Sequence, residues 1–416
     1  MKPSWFGLIP IAAMAVCPIA LILASGLSRQ HVTPPVSAGA TAARTQEFER
    51  LRTEGNEAVY NLEYQSARRK FERMTALAPE HPAGYVLLAN NLWLETLNAR
   101  RRLSVSLYSA ESFYAQTKSN EKADPKRTRE FDNLINKAIS VSASALQTNP
   151  KDAEALYYKG AALGLRAGFA ATVLRSFSRA IGDANDSILI QRRVIKLDPD
   201  YTDAYMSIGL YKYVIDRLPL AWRLLARFAG LKGSKKEGIE QLEQVATRGR
   251  LAPDDARVLL IGIYSREGEF DRALESLGLL ARKYPRNYLL SVERAAMLYR
   301  LGKRVEGANA FEDLLKDEVV TRNAVDLVNY QWAEALLAAG DHAGAVKRYG
   351  EVVRWPASSP DLITLAHLRA GQAQDALGDR AGATAEYETV LKRENVFDSH
   401  DRAGQYLKKA FGTPKA

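Results

Sequence analysis

The sequence predicts an all-α chain of antiparallel helix pairs stacked into a solenoid, and three observations predict it. Ala, Leu, Arg and Glu recur throughout 416 residues, and 47% of those residues are hydrophobic, which supplies enough apolar side chain for an ordinary core. Alternating Val, Ile and Thr runs bounded by turn pairs, the mark of strands, are hard to find. Small, aromatic and proline positions return at a spacing of about 34 residues, the period of a helical-hairpin array.

Taken in order, the chain opens on residues 5–27, WFGLIPIAAMAVCPIALILASGL, 23 residues without a charge. That run is longer than the roughly 7–15 residues of a signal-peptide core and close to the roughly 20 that span a bilayer. It predicts a signal anchor over 1–27, a single transmembrane helix. A signal peptide cleaved near Ala24, Ser25 and Gly26 is the alternative, with export as its result. Bulky Val16 before Cys17 does not suit a lipoprotein. Residues 28–44 are rich in Ser, Pro, Ala and Thr and read as a flexible linker. The sparse flanking charges, Lys2 against Arg29, place the body outside the cytoplasm, in a bacterial inner-membrane and periplasmic setting. Cys17 is the single cysteine, so the body forms neither a disulfide nor a thiolate zinc site. His31, His81, His342, His367 and His400 show no ligand spacing, and neither a metal nor a cofactor is expected.

The body begins with Gly55, Tyr64, Ala67, Phe71 and Pro79, at offsets 0, 9, 12, 16 and 24. Gly268, Phe270, Ala273, Leu277 and Pro285 repeat the second-helix spacing. Gly302, Gly307 and Phe311 mark a further unit, Gly340, Ala345 and Tyr349 the next, and Gly378, Ala383 and Tyr387 the last. Leu156 with Gly160, and Tyr205 with Ile208 and Gly209, mark first helices upstream. Small residues let two helices cross closely, an aromatic fills the gap beside them, and proline ends the second helix. These positions resemble the tetratricopeptide repeat. The resemblance implies a right-handed superhelix over 45–397, with units near 48–81, 82–150, 151–200, 201–253, 254–287, 288–320, 326–358 and 364–396. Residues 398–416 form a capping helix and tail. Helical insertions fall near 99–129, 166–182 and 214–236.

Such repeats bind protein segments on a concave face lined by first helices. By the resemblance, Arg52, Asn56, Tyr157, Tyr213, Tyr299, Arg300 and Tyr330 point there. Packing between repeats is the competing use of each aromatic. Arg52 and Asn56 match the start of a carboxylate clamp for chaperone tails. Leu87, Glu154 and Tyr158 stand where that clamp needs Asn, Lys and Arg, so a chaperone tail is not the expected ligand.

The insertions concentrate the charge. Residues 99–129 carry Arg100, Arg101, Arg102, Lys118, Lys122, Lys126, Arg127 and Arg129 against Glu111, Glu121 and Asp124. Residues 212–236 carry Lys212, Arg217, Arg223, Arg227, Lys232, Lys235 and Lys236 against Asp216 alone, in a chain whose net charge is +10. A helix starting at Pro219 gathers Leu218, Ala221, Trp222, Leu225 and Phe228 on one wide apolar face, leaving Arg223 and Arg227 as a narrow polar strip. Phe169, Val173, Leu174, Phe177 and Ile181 make a similar face in 166–182. Either face packs on the solenoid, or one rests on lipid or a partner, with Trp222, Arg223, Arg227 and Phe228 as its contact residues. Residues 207–242 also look like a signature of the inclusion-body-clearance family and its mammalian tetratricopeptide relatives, through Gly209, Leu218, Pro219, Leu224, Leu225, Phe228, Gly230, Gly233 and Gly238. That resemblance implies a non-catalytic adaptor associated with membranes or lipid stores.

No phosphate-cradling glycine loop or Gly-x-Ser-x-Gly elbow is present, and no nucleophile, base and orienter can be named. The expectation is therefore a non-enzymatic adaptor, tethered by its N-terminus, that binds a protein or peptide partner. A lipid- or lipophile-associated protein is the alternative. The basic insertions could neutralise phosphate, but nucleic acid is not an expected partner of an exported body.

Overall fold

The computed structural model describes residues 38–103, 123–217 and 232–412, together with residues 220, 223, 224 and 227; side chains are described from residue 43, Phe177 excepted. The expected anchor, Cys17, Trp222 and Phe228 lie outside the described residues. Those residues form eighteen α-helices, one short 3-10 turn and no strand. The chain divides into two compact units, one of residues 1–96 with 123–260 and the other of residues 97–122 with 261–416.

In the first unit the helices are α1 (Ala38–Tyr60), α2 (Tyr64–Leu77), α3 (Ala83–Ala99), α4 (Pro125–Thr148), α5 (Ala153–Thr172), α6 (Phe177–Leu197), α7 (Tyr205–Asp216) and α8 (Lys235–Arg248). Helix α9 (Pro253–Glu267) starts there and ends in the second unit, and α3 likewise ends in it. The second unit continues with α10 (Phe270–Lys283), α11 (Tyr288–Arg300), α12 (Arg304–Leu314), α13 (Glu318–Asn323) and α14 (Val325–Ala338). It closes with α15 (His342–Arg354), α16 (Pro360–Leu377), α17 (Arg380–Leu391) and α18 (Ser399–Lys408).

The helices pack as hairpins: α1 with α2, α5 with α6 and α7 with α8 in the first unit, and α11 with α12, α14 with α15 and α16 with α17 in the second. Hairpin then stacks on hairpin, through α4 on α5, α6 on α7, α10 on α11 and α15 on α16. This is a tetratricopeptide-like architecture, in which each pair leaves an apolar flank that its neighbour covers. The second helix of a pair buries one stripe: Ala67, Phe71 and Met74 in α2, Ala345, Tyr349 and Val352 in α15, Ala383, Tyr387 and Val390 in α17. That i, i+4, i+7 spacing is a single helix face. First helices are enclosed on more sides, and α5 is buried along nearly its whole length.

Two backbone features set the hairpin geometry. Gly268, Gly302, Gly340 and Gly378 follow first helices and turn the chain at φ between 76° and 82°, in the left-handed region that favours glycine. After α1, α3 and α5 the same turn is made by Leu62, Arg101 and Arg175, at φ 63°, 56° and 55°. Where α7 and α8 cross, a Cβ on Gly238 would lie 2.6 Å from the Gly209 carbonyl oxygen, so the two backbones touch and only glycine fits.

The 166–182 stretch supplies the end of α5 and the start of α6, lengthening one hairpin. Phe169 stacks on Phe131 at 3.9 Å between ring centroids, and Arg166 pairs with Asp183 at 2.6 Å. Leu220 and Leu224, in contrast, are 64% and 48% exposed. Among the described residues no helix is long and apolar enough to cross a membrane.

Candidate functional site

The residues that the sequence points to fall into separate places. Arg52 and Asn56 are buried on α1, and Arg52 is paired with Glu49. Tyr157 on α5 is buried against Tyr158 and Tyr201, with ring centroids 5.4 and 4.9 Å apart. Tyr213 is buried in the α7–α8 crossing, its Cβ 3.0 Å from where a Gly238 side chain would begin. In the second unit, Tyr299 accepts a hydrogen bond from Trp332 Nε1 at 2.9 Å and lies against Phe311. Tyr330 meets Tyr349 edge to face at 5.7 Å. All four tyrosines therefore fill layers between helices, and of the seven residues only Arg300 is exposed. Arg223 and Arg227 are exposed, and Arg223 Nη1 donates to the Asp216 carbonyl at 3.2 Å.

Other side chains of the first unit pack and pair with one another. Phe48, His81 and Tyr158 form an aromatic run, with His81 Nε2 3.5 Å from Glu154 Oε1. Tyr60 donates to Asp255 at 2.5 Å, which ties the end of α1 to the first turn of α9. Asp203 accepts from the backbone amides of Arg250, Leu251 and Ala252 at 2.8–3.1 Å. Burial raises the pKa of Asp203 despite those donors, raises that of Glu49 despite neighbouring Arg52, and holds the Tyr157 and Tyr201 phenols well above their usual value.

The second unit carries a more pointed arrangement. Asp326 and Asp361 stand in the first turns of α14 and α16, where the helix dipole favours an anion. Both are buried, Asp326 completely. They hold the three arginines that follow α3. Arg101 Nε lies 3.2 Å from Asp326 Oδ2, and another of its nitrogens donates to the Asn323 carbonyl. Arg102 donates to Asp361 Oδ2 from Nε at 3.2 Å and from Nη2 at 2.7 Å. Arg100 reaches the same oxygen at 3.1 Å. Arg102 is 1% exposed and its guanidinium lies 4.6 Å from the centre of the Phe397 ring. Burial raises the pKa of the Tyr288 phenol, and neighbouring Arg101 and Asn98 oppose that rise.

Three of the eight cations counted in residues 99–129 are thus paired with Asp326 and Asp361, Arg102 fully buried, and Arg127 pairs with Glu95 at 2.9 Å. The basic character assigned to that insertion is correspondingly reduced on the surface. Asp326 and Asp361 were not singled out by sequence, yet a signal was present. An aspartate recurs where first helices begin, at Asp203, Asp255, Asp326 and Asp361. Among the described residues no group of His, Cys, Asp and Glu is arranged to hold a metal ion.

No protein-family model matches the chain, and no curated protein matches it. Solved structures with a similar helical arrangement include human IFIT1 in a dimer with m7Gppp-AAAA, at 16% identity and a TM-score of 0.42, covering 88% of this chain and 80% of that one. Yeast Tom70 is similar at 12% identity and a TM-score of 0.42, over 88% of this chain and 96% of its own. A tetratricopeptide repeat protein from Parabacteroides merdae is similar at 15% identity and a TM-score of 0.32, over 78% and 99%. Similarity at this level carries no argument about a ligand, and the fold rests on the hairpins described above.

Proposed function

We propose that this chain is a non-catalytic protein-interaction scaffold, tethered to a membrane through residues 5–27, whose first helices receive a segment of a partner protein. The supporting observation is the rim formed by Asp326 and Asp361, which already engages a short stretch of polypeptide, Arg100–Arg102, by its side chains. The uncharged 5–27 run and the Pro- and Ser-rich stretch after it support the tether.

Affinity purification of the tagged full-length chain from solubilised membranes, compared with an Asp326→Asn, Asp361→Asn variant, tests the scaffold. The expected result is a reproducible set of proteins that the variant loses. Identical sets from both would sink the rim as the binding surface. An alkaline wash of membranes tests the tether: the full-length chain is expected in the pellet, and its release into the wash would exclude a spanning helix.

A second reading is favoured by the exposure of Leu220 and Leu224 beside exposed Arg223 and Arg227, the mixture of an interfacial helix. Flotation of the full-length chain in detergent-free reconstitution cannot separate this contact from the tether. Leu220→Glu with Leu224→Glu is therefore compared in a chain starting at residue 45. Loss of flotation with anionic vesicles supports lipid contact, and flotation equal to the parent argues against it.

A further inference from the structure

We propose that helices α14, α16 and α18 hold a binding site for one carboxylate of a partner's segment, formed by Gln372 and Arg402 beside the Glu334–Arg369 pair. This rests on the scaffold reading and names the chemistry of the segment that is received.

The first ground is a surplus cation. Glu334 Oε1 accepts from Arg369 Nε at 2.7 Å and from the Tyr349 hydroxyl at 2.5 Å, and Oε2 accepts from Arg369 Nη2 at 2.6 Å. Both oxygens are therefore engaged, and Arg369 alone balances the charge. Arg402 of α18 is a second cation in the same field: burial raises the Glu334 pKa, and the Arg402 charge is among those that bring it down. Among the described residues half-buried Arg402 forms no ion pair, with Asp398, Asp401 or another carboxylate, and no side-chain hydrogen bond. One carboxylate against two guanidiniums leaves one positive charge. The second ground is an unused donor. The Gln372 side chain is fully buried, and its Oε1 accepts from Arg369 Nη1 at 2.8 Å. That contact fixes which end of the amide is oxygen. The other end, Nε2, is therefore a donor, and it is buried without a hydrogen-bond partner, a rarity for such a group. Nε2 and Oε1 share one carbon, so an acceptor placed on Nε2 stands next to the Arg369 guanidinium. The third ground is the kind of ligand that fits. The uncommitted groups are an amide N–H and a guanidinium, both donors only, which selects an anion. A carboxylate cancels the single surplus charge, whereas a phosphate monoester brings about −1.5 to −2 and overshoots it. The Arg369 and Glu334 side chains are 25% and 22% exposed, which gives the group an opening to solvent.

Binding is measured by fluorescence anisotropy to the purified full-length chain in detergent. Two labelled probes carry a carboxylate: Gly-Ser-Glu-Ser-Gly with an amidated end, and Gly-Ser-Gly-Ser-Gly with a free one. Two amidated controls replace the Glu of the first with Gln or with phosphoserine. The expected result is that at least one carboxylate peptide binds wild type about tenfold more tightly than the Gln peptide does. Which one does so assigns the carboxylate to a side chain or to a chain end. Arg402→Gln and Gln372→Leu are each expected to lose that tenfold. Circular dichroism and a thermal melt establish that each chain is folded. If Gln372→Leu is not, Arg402→Gln carries the test, because Arg402 makes no side-chain bond that the fold would lose. The proposal is overturned if the Gln peptide binds as tightly as both carboxylate peptides, or if either variant, once folded, binds them as wild type does; water alone then satisfies Gln372. Tighter binding of the phosphoserine peptide than of both carboxylate peptides overturns the assignment to a single negative charge. Peptide binding on the purified chain does not depend on which proteins co-purify from membranes or on Asp326 and Asp361, so this site and the broader scaffold reading can fail separately.

Discussion

At the scale of single residues, the turns between paired helices show what the fold asks of the backbone. Gly378 stands at φ 82° with its amide donating to the Asp375 carbonyl at 3.1 Å, and nothing lies within 4 Å of where its Cβ would be. The space is open, so an alanine there meets a backbone penalty and no clash. Gly378→Ala is expected to lower stability by about 1 kcal/mol, read as a lower urea midpoint with an unchanged m-value. The comparison is Gly404→Ala in α18, where nothing lies within 4 Å and the φ is not left-handed; there alanine is expected to be neutral or stabilising. A loss at both positions of equal size would remove the conformational explanation.

At the scale of elements, three helices of the second unit are joined by one polar network. Glu334 of α14 accepts both guanidinium hydrogen bonds of Arg369 of α16 and, at 2.5 Å, the hydroxyl of Tyr349 of α15. Burial pushes the Glu334 carboxyl up, but Arg369 and the Tyr349 hydroxyl outweigh it, and its pKa lies below the ordinary glutamate value of 4.5. A folded-state pKa below the unfolded one means stability that is fully present above the unfolded value and lost as pH falls through the folded one. Unfolding followed by denaturant in steps from pH 7 to pH 3 is expected to show that loss, and Glu334→Gln is expected to flatten it. The same substitution should cost about 2 kcal/mol at pH 7, less than for a sealed pair because the Arg369 and Glu334 side chains remain 25% and 22% exposed. An unchanged acid slope in the Gln variant would place the acid sensitivity elsewhere. Elements of this kind mark the boundary of what the sequence discloses. The Ala345–Tyr349 and Ala383–Tyr387 pairs are legible because one helix face repeats them in phase. The Asp326–Arg101 and Asp361–Arg102 pairs join residues 225 and 259 positions apart, and no local period encodes a partnership at that distance. The tyrosines Tyr157, Tyr213, Tyr299 and Tyr330 were legible as first-helix residues, but the side of a first helix that meets the next hairpin differs little in composition from one left open.

At the scale of the whole chain, the repeat design decides how damage spreads. In a stacked array each hairpin is stabilised by its own packing and by its neighbours, so loss of one interface acts locally before it acts globally. Phe71 supplies the test, since it is 1% exposed in the α1–α2 hairpin and a Cβ on Gly55 would sit 2.3 Å from its ring. Phe71→Ala removes the filler of that crossing at a cost of about 3–5 kcal/mol, the range for a large buried aromatic. Native-state hydrogen exchange resolved by mass spectrometry is expected to show faster exchange in α1 and α2, a smaller change in α5 to α8, and unchanged protection from α14 to α18. The two compact units give that expectation its form, because the residues of α14 to α18 belong wholly to the second. Equal loss of protection in α1, α2 and α14 to α18 would mean that the chain unfolds as one cooperative body, and the nearest-neighbour description would then fail for this protein.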